Sequence, residues 1–317
     1  MEESVPVVDF SAYSLEKYSP DPERIHRLVD DVFTALTTIG FMYLKNHGIS
    51  QEKVNDVFKY SGQLFSLPND VKLKCGKSKE GYFGYLPIEH HKLDPSCEFF
   101  DMKESLVFRP AADDVVLPEQ EVPELEGALS ALFEASISLH NRVLEVMAMA
   151  LRLDPQFFRE MYTLAGKEGN ITSLCSLSYP PLTSIAVKEG QMRCGEHSDY
   201  GGITLLYQDD RGGLEVKNRR DEWIQAPPIE GTVLVNIGDL MQRWTSDRFI
   251  ACKHRVKAPD DPIKRHQERK SIAFFGNPDS DAIVECVDGS NKYPAVRAID
   301  YLNMKLREGK ILSDARA

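Results

Sequence analysis

Several features that would direct a reading elsewhere are missing from this 317-residue chain. It has no run of about 18 apolar residues, the length a helix needs to cross a bilayer, so no membrane span is expected. The N-terminus, MEESVPVVDF, lacks the basic start and long apolar stretch of a secretory signal. No CxxC pair occurs. The six cysteines at 75, 97, 175, 194, 252 and 286 are scattered, which predicts free thiols in a reducing, cytoplasmic setting. Positive charge is scarce: 38 Lys and Arg stand against 49 Asp and Glu, a formal net charge of -11. That balance argues against nucleic acid, whose phosphates reward clustered cations. It leaves room for a small acidic ligand, because one local arginine can bind a carboxylate. Internal repeats and low-complexity tracts are also absent, and nothing requires more than a monomer.

What is present falls into two textures. Apolar residues recur at helical spacing over Arg24 to Thr38, Gln51 to Phe65 and, longest, Leu125 to Leu151, which reads as a central packing helix. Gly40 is placed to end the first helix. Short strands are expected at Val5 to Phe10 and Phe41 to Leu44, and the glycine-rich GYFGYL at 81 to 86 reads as a loop or edge strand. The stretch from Asp113 to Pro123 reads as a surface connection. From Thr172 onward, short β-prone runs alternate with turns: 174–179, 202–207, 214–217, 232–237, 254–256 and 271–275. Such spacing predicts a sandwich or barrel. The expected plan has a mixed α/β N-terminal region over 5–120. A β domain with the central helix covers 121–280, and a C-terminal segment over 281–317 carries a helix near Ile299 to Glu308.

One constellation carries chemistry. His197 and Asp199 form His-x-Asp, and on a strand residues two apart share a face. A third donor, His254, follows 55 residues beyond Asp199 in Lys253-His254-Arg255-Val256. Two imidazoles and one carboxylate on one face leave the opposite positions of a metal open, the arrangement suited to Fe(II) that also binds O2 and a co-substrate. Fifteen residues after His254 come Arg269 and Ser271, which share a strand face. Arg offers a bidentate fork and Ser a hydroxyl, together an anchor for a carboxylate.

The order HSDYGGITLL, GGLEV, VNIGDLMQRWT, HRV and RKSIAFF resembles the 2-oxoglutarate- and Fe(II)-dependent dioxygenases related to isopenicillin N synthase. PVVDF near the start, GFMYLKNHGI at 40 to 49 and DMKE at 101 to 104 extend the resemblance over about residues 5 to 278. It implies an α+β fold: a distorted double-stranded β-helix, or jelly roll, with flanking helices. It implies that His197, Asp199 and His254 bind iron, that Arg269 and Ser271 bind the distal carboxylate of 2-oxoglutarate, and that Tyr179 assists. Many relatives carry an Asn two residues before this Tyr, where the chain has Leu177. The implied reaction couples O2 and decarboxylation of 2-oxoglutarate to hydroxylation, desaturation or ring closure of a small molecule, with no further acid–base residue. Three rivals stand at this point: a same-fold oxidase that does not use 2-oxoglutarate, as isopenicillin N synthase and 1-aminocyclopropane-1-carboxylate oxidase do not; a non-catalytic binding protein; and a cupin or other jelly roll holding Zn or Mn, which gives no reason for Arg269-x-Ser271.

Candidate substrate contacts are Tyr82, Phe83, Tyr85, Arg193 and Phe275. Packing competes for the first three, a surface position for Arg193, and core packing for Phe275. His90 and His91 read as surface histidines, since neighbours on a strand face opposite sides. Trp244 reads as packing. Cys194 and Cys252, near the proposed ligands, are candidates for oxidation.

Overall fold

The computed structural model describes residues 4–16, 22–76, 78, 81–88, 100–110, 115–183, 191–259 and 262–308. His90, His91 and Cys97 lie outside the described residues.

The chain builds two facing sheets from strands that alternate between them. The larger contains β1 (Val7–Asp9), β2 (Phe41–Lys45), β3 (Gly84–Leu86), β4 (Glu104–Phe108), β5 (Ser173–Tyr179), β7 (Ile203–Gln208), β10 (Thr232–Ile237) and β12 (Arg269–Gly276). Its spatial order is β1-β2-β10-β7-β12-β5-β4-β3. The smaller sheet, β6-β11-β8-β9, comprises β6 (Cys194–His197), β8 (Leu214–Lys217), β9 (Trp223–Gln225) and β11 (His254–Val256). The strands β5 to β12 thus form the double-stranded β-helix, and β1 to β4 extend one sheet at both edges. The two-residue strands β13 (Ile283–Val284) and β14 (Val296–Arg297) pair separately.

Helices pack around the sheets, the first, second and fourth of them on the outer face of the large one. They are α1 (Pro22–Thr38), α2 (Gln51–Phe65), α3 (Asn69–Lys72), α4 (Leu125–Ala150), α5 (Asp239–Trp244), α6 (Pro262–Arg265) and α7 (Ala298–Glu308). Helix α4 is buried along most of its length by Leu129, Leu132, Phe133, Leu139, Val143, Leu144 and Met147. It packs on β5, β7 and β12 while α1 and α2 pack against it. Leu106, Leu174, Leu205, Ile272 and Phe274 supply the sheet side of this core. A helix apolar around most of its circumference belongs in an interior, and here it is wrapped on several sides. His140 of α4 sits in this core, 1% exposed, edge-on to Phe274 and Tyr162. Burial depresses its pKa to about 4.

Strand β2 shows why the second sheet face is also buried. Met42 and Leu44 point into the helical core, whereas Phe41 and Tyr43 join the smaller cluster between the sheets with Tyr179, Leu214 and Val256. A strand covered on both faces reads as a continuous apolar run, as FMYL does. Gly40 precedes it at φ +67°, and a Cβ there would lie 1.9 Å from the Ile250 carbonyl oxygen, so no other residue fits that turn.

The expected helices and strands are found with small boundary changes. GYFGYL ends as β3, an edge strand. The stretch 115–123 is largely exposed, pinned by the buried Val122. Among the described residues no helix is long and apolar enough to cross a membrane. None of the five described cysteines is in a disulfide.

Candidate active site

The inner faces of the two sheets enclose a cavity of about 240 Å³. His197 enters it from the last residue of β6 and His254 from the first residue of β11, and the two residues are partners across the antiparallel pair β6–β11. Their rings lie 4.2 Å apart between centroids. Asp199 completes the cluster: its Oδ1 is 3.8 Å from His197 Nε2 and 3.7 Å from His254 Nε2. The ligand atoms all lie within 4.8 Å of one another, close enough to hold one metal ion.

The route by which Asp199 arrives differs from the expected one. Strand β6 stops at His197, so Asp199 is not its face-sharing neighbour on a strand. It lies in the turn that follows, and that turn is pinned to the start of α5. The Asp239 amide donates to the Asp199 carbonyl (2.7 Å) and the Leu240 amide to the Tyr200 carbonyl (3.2 Å). Amides that a helix cannot satisfy within its own first turn therefore hold the loop. The packing demands glycine: a Cβ on Gly238 would meet the Gly201 oxygen at 2.3 Å.

Each donor atom is prepared by a second contact. His197 Nδ1 faces the Gly195 carbonyl at 2.8 Å, which places the proton there and leaves Nε2 for a metal. His254 Nδ1 faces the Cys252 carbonyl at 3.4 Å. Asp199 Oδ2 accepts from Thr204 Oγ1 and Asn236 Nδ2, both at 2.6 Å, leaving Oδ1 toward the histidines. Burial lowers the pKa of His197; burial and the adjacent His197 lower that of His254 to about 4. Both are therefore neutral imidazoles at neutral pH, the form that ligates. Burial alone would raise the Asp199 carboxyl, but His254 and His197 when protonated, and the bonds from Asn236 and Thr204, outweigh it and lower its pKa; with neutral histidines the two bonds still hold the carboxylate. Two neutral imidazoles and one carboxylate, with outer hydrogen bonds in place, suit Fe(II).

Arg269 and Ser271 project from β12 into the same cavity, as their spacing predicted. Arg269 is 1% exposed. Its Nε donates to the Gly212 carbonyl (2.8 Å), Nη2 to Gln208 Oε1 (3.2 Å) and Nη1 to Ser271 Oγ (3.3 Å). All three partners are neutral. Tyr179 pairs with Arg269 across β5–β12, and the guanidinium lies 4.8 Å from its ring centroid. Burial pushes the Tyr179 phenol up, so it stays a donor. Leu177, opposite Ser271 in register, also lines the cavity.

The remaining candidates divide. Tyr82 and Phe275 line the cavity, and Tyr82 donates to Asn303 Oδ1 of α7. Phe83 and Tyr85 point the other way and do not line it. Phe83 packs under the Arg109 guanidinium, and Tyr85 bonds Glu104, which pairs with Lys72. Arg193 is neither a surface residue nor a wall of the cavity. It is 2% exposed, and Nη2 donates to the Gln267 carbonyl. Trp244 packs among Phe157 and Phe158. The Cys194 thiol lines the cavity, but burial raises its pKa to about 11, which disfavours the reactive thiolate.

Two contributions escaped the sequence reading. Leu302 and Leu306 of α7 form part of the cavity wall. So does Lys103, just ahead of β4, paired with Asp101 at 3.2 Å. Burial works against its charge, but Cys194 and Asp101 more than offset this and hold it well above the usual lysine range. Because the thiol is itself protonated at neutral pH, Asp101 is the effective partner.

Comparison with known proteins agrees with this geometry. Residues 171–278 match the 2OG-Fe(II) oxygenase superfamily, and residues 5–125 match the family described as non-haem dioxygenase in morphine synthesis N-terminal. The 2-oxoglutarate-dependent dioxygenase htyE of Aspergillus rugulosus is 30% identical, covering 96% of this chain and 98% of its own. The 2-oxoglutarate-Fe(II) type oxidoreductase ppzD of Metarhizium rileyi is 29% identical over 90% of this chain and 87% of its own. Among solved structures, a full-length Neurospora crassa protein in complex with alpha-KG (2-oxoglutarate) superposes with a TM-score of 0.84 at 31% identity, covering 96% of this chain and 95% of that one. The same protein with alpha-KG and thymine gives 0.83 at 30%, covering 96% of each. A jelly roll enclosing a two-histidine, one-carboxylate cluster, together with relatives matched along nearly their whole length, places this chain in the superfamily of Fe(II)- and 2-oxoglutarate-dependent oxygenases, as an enzyme of that class.

Proposed function

We propose that His197, Asp199 and His254 hold the Fe(II), that Arg269, Ser271 and Tyr179 hold the distal carboxylate of 2-oxoglutarate, and that the substrate enters between Tyr82, Phe275 and α7. One observation carries this reading: the metal-type cluster and a buried arginine that hydrogen-bonds to no carboxylate open into one cavity from facing sheets. A guanidinium whose protein partners are all neutral keeps its charge for a ligand.

With O2, bound Fe(II) supplies the oxidation that turns 2-oxoglutarate into succinate and CO2 and inserts oxygen into, or removes hydrogen from, the substrate. The chain's own residues do the rest. Asn236 and Thr204 fix which Asp199 oxygen faces the metal position, and the Gly195 carbonyl fixes the His197 tautomer. Arg269 and Ser271 set the distance at which the co-substrate's far end rests. Leu177, Leu302, Leu306 and Phe275 exclude water around the reacting centre. The volume of about 240 Å³ is compact beside the roughly 300–1,000 Å³ of typical small-molecule sites, which favours a small substrate. Free buried thiols support a reducing, cytoplasmic setting, and a monomer is the reading retained.

The test is succinate formation. Fe(II)-loaded protein with 2-oxoglutarate is exposed to O2 and candidate metabolites, beginning with thymine and 5-formyluracil, with which the Neurospora crassa protein has been solved. Substrate-stimulated succinate release is expected for at least one. Substrate oxidation without consumption of 2-oxoglutarate would instead favour the same-fold oxidase.

A further inference from the structure

Lys103 has no assigned task, and its position is unusual. In the β4–β5 register Glu104 is opposite Ser178, so Lys103, one residue earlier, comes level with Tyr179. Tyr179 is in turn opposite Arg269. Arg269, Tyr179 and Lys103 therefore form one row across three neighbouring strands, and all three line the cavity. From that row the Lys103 side chain crosses to the smaller sheet. Its Nζ lies 3.1 Å from Cys194 Sγ, and that sulfur is 4.0 Å from His197 Nδ1. The ammonium thus lies beside Cys194 in the wall of the cavity that also holds the carboxylate anchor and the metal-type cluster.

Structural duty accounts poorly for it. Lys103 is 5% exposed, and a buried ion pair is often no more stabilising than apolar residues of similar volume. An ammonium has three N–H donors. Its described partners are a protonated thiol, a weak acceptor, and Asp101 Oδ2. Asp101 is already engaged elsewhere, since Oδ1 accepts from the Gly195 amide at 2.8 Å. That bond fixes Asp101 beside Gly195, while its Oδ2 meets Lys103 as an ion pair and accepts no hydrogen bond, so Lys103 keeps donors for the cavity. Among the described residues, Arg269 and Lys103 are the cations in the cavity wall. The co-substrate is a dianion with a carboxylate at each end. Arg269, Ser271 and Tyr179 already surround the position of the distal one.

We infer that Lys103 is a co-substrate-binding residue whose ammonium donates to the carboxylate of the 2-oxo acid end, the end that faces the metal. The inference rests on the proposed site. Lys103 supplies the polar hold that Leu177, on the same wall, cannot. It also makes Asp101 a positioning residue, acting through Lys103 and Gly195.

The test is an anaerobic titration of the Fe(II)-loaded protein, read by the visible charge-transfer absorption of an Fe(II)–2-oxo acid chelate. Two probes separate the ends of the ligand: 2-oxoglutarate, and pyruvate, which keeps the 2-oxo acid but lacks the distal carboxylate. Lys103→Met is expected to bind both roughly 10–100-fold more weakly, the loss typical of a charge-assisted hydrogen bond, with iron content unchanged. Arg269→Ala is expected to weaken 2-oxoglutarate and spare pyruvate. Lys103→Arg, which keeps the charge and N–H donors, is expected to restore part of the affinity for both probes. Unchanged affinity in Lys103→Met overturns the inference in favour of a substrate contact. A loss confined to 2-oxoglutarate assigns Lys103 to the distal end and also overturns it, and loss of iron reduces Lys103 to a structural part. If the unmodified protein shows no absorption with 2-oxoglutarate, the site itself is wrong and Lys103 falls with it. A normal wild-type band with insensitive Lys103 variants refutes the inference alone.

Discussion

The two ends of the cavity are built differently. At the metal and anchor end, every functional atom sits on or beside a paired strand and has a second partner. His197 leans on Gly195, Asp199 on Thr204 and Asn236, and Arg269 on Gly212, Gln208 and Ser271. At the substrate end the wall comes from Tyr82, ahead of the edge strand β3, and from Leu302 and Leu306 of α7. There Tyr82 bonds Asn303, and Lys305 pairs with Asp239 at 3.0 Å. On the proposed reading, the sheet fixes the chemistry while peripheral elements choose what is oxidised. Scaffolds that serve many substrates divide labour in this way.

This contrast can be broken by experiment. The largest effect is expected for His197→Ala, which removes a ligand outright. Iron affinity should fall by more than the roughly 10–100-fold typical of losing an outer partner, and Asn236→Ala should fall within that range. Equilibrium dialysis against Fe(II) measures both, and equal losses would show that the end is less hierarchical than its hydrogen bonds suggest. Arg269→Ala should raise the KM for 2-oxoglutarate by about 10–100-fold with succinate as readout. An unchanged KM would remove it from the anchor.

Acid should also separate metal-end histidines from His140, which lies behind the sheet. His140 has a folded pKa of about 4 against an ordinary 6.5, so between those values the unfolded chain binds the extra proton. Stability is therefore complete above about pH 6.5 and is lost as pH falls toward 4, by about 3 kcal/mol for this one group. His197 and His254 shift in the same direction. Urea unfolding at pH 7 and 4.5 should show the loss, and His140→Gln should flatten the dependence. Added Fe(II) should protect against the part due to His197 and His254 only. The smallest effect is expected for Tyr82→Phe: about 1 kcal/mol of stability at most and a few-fold change in substrate KM, with 2-oxoglutarate binding untouched. A large loss of iron there would erase the distinction between the two ends.

How much of this was legible depends on whether local rules decide it. Arg269 and Ser271 share a face because β12 is a regular strand, and period two was enough. Helix α2 matched its pattern from Gln51 to Phe65 for the same reason. In GYFGYL the alternation separates Tyr82 and Leu86 from Phe83 and Tyr85, but only tertiary structure says which pair meets the cavity. Asp199 was assigned to the cluster by its spacing from His197, yet the first turn of α5, some forty residues on, holds it there. Lys103 was invisible because its place depends on β4 pairing with β5 across about seventy residues. The tail was legible as a helix and illegible as a wall, since distant partners such as Ala282, Tyr82 and Asp239 seat it.

The burial of Arg269 has a consequence for the lifetime of the protein. Without a ligand, a full positive charge sits 1% exposed with neutral hydrogen-bond partners, Asp209 attracting it and Arg193 repelling it from nearby, a cost the folded state carries alone. On the proposed reading, 2-oxoglutarate supplies the missing counter-charge and binds only the folded chain. At a hundredfold excess over its dissociation constant it adds about 2.7 kcal/mol to stability. The supply of a central metabolite would then set how often the chain opens to proteases, and nutrient status would govern the abundance of the enzyme as well as its rate.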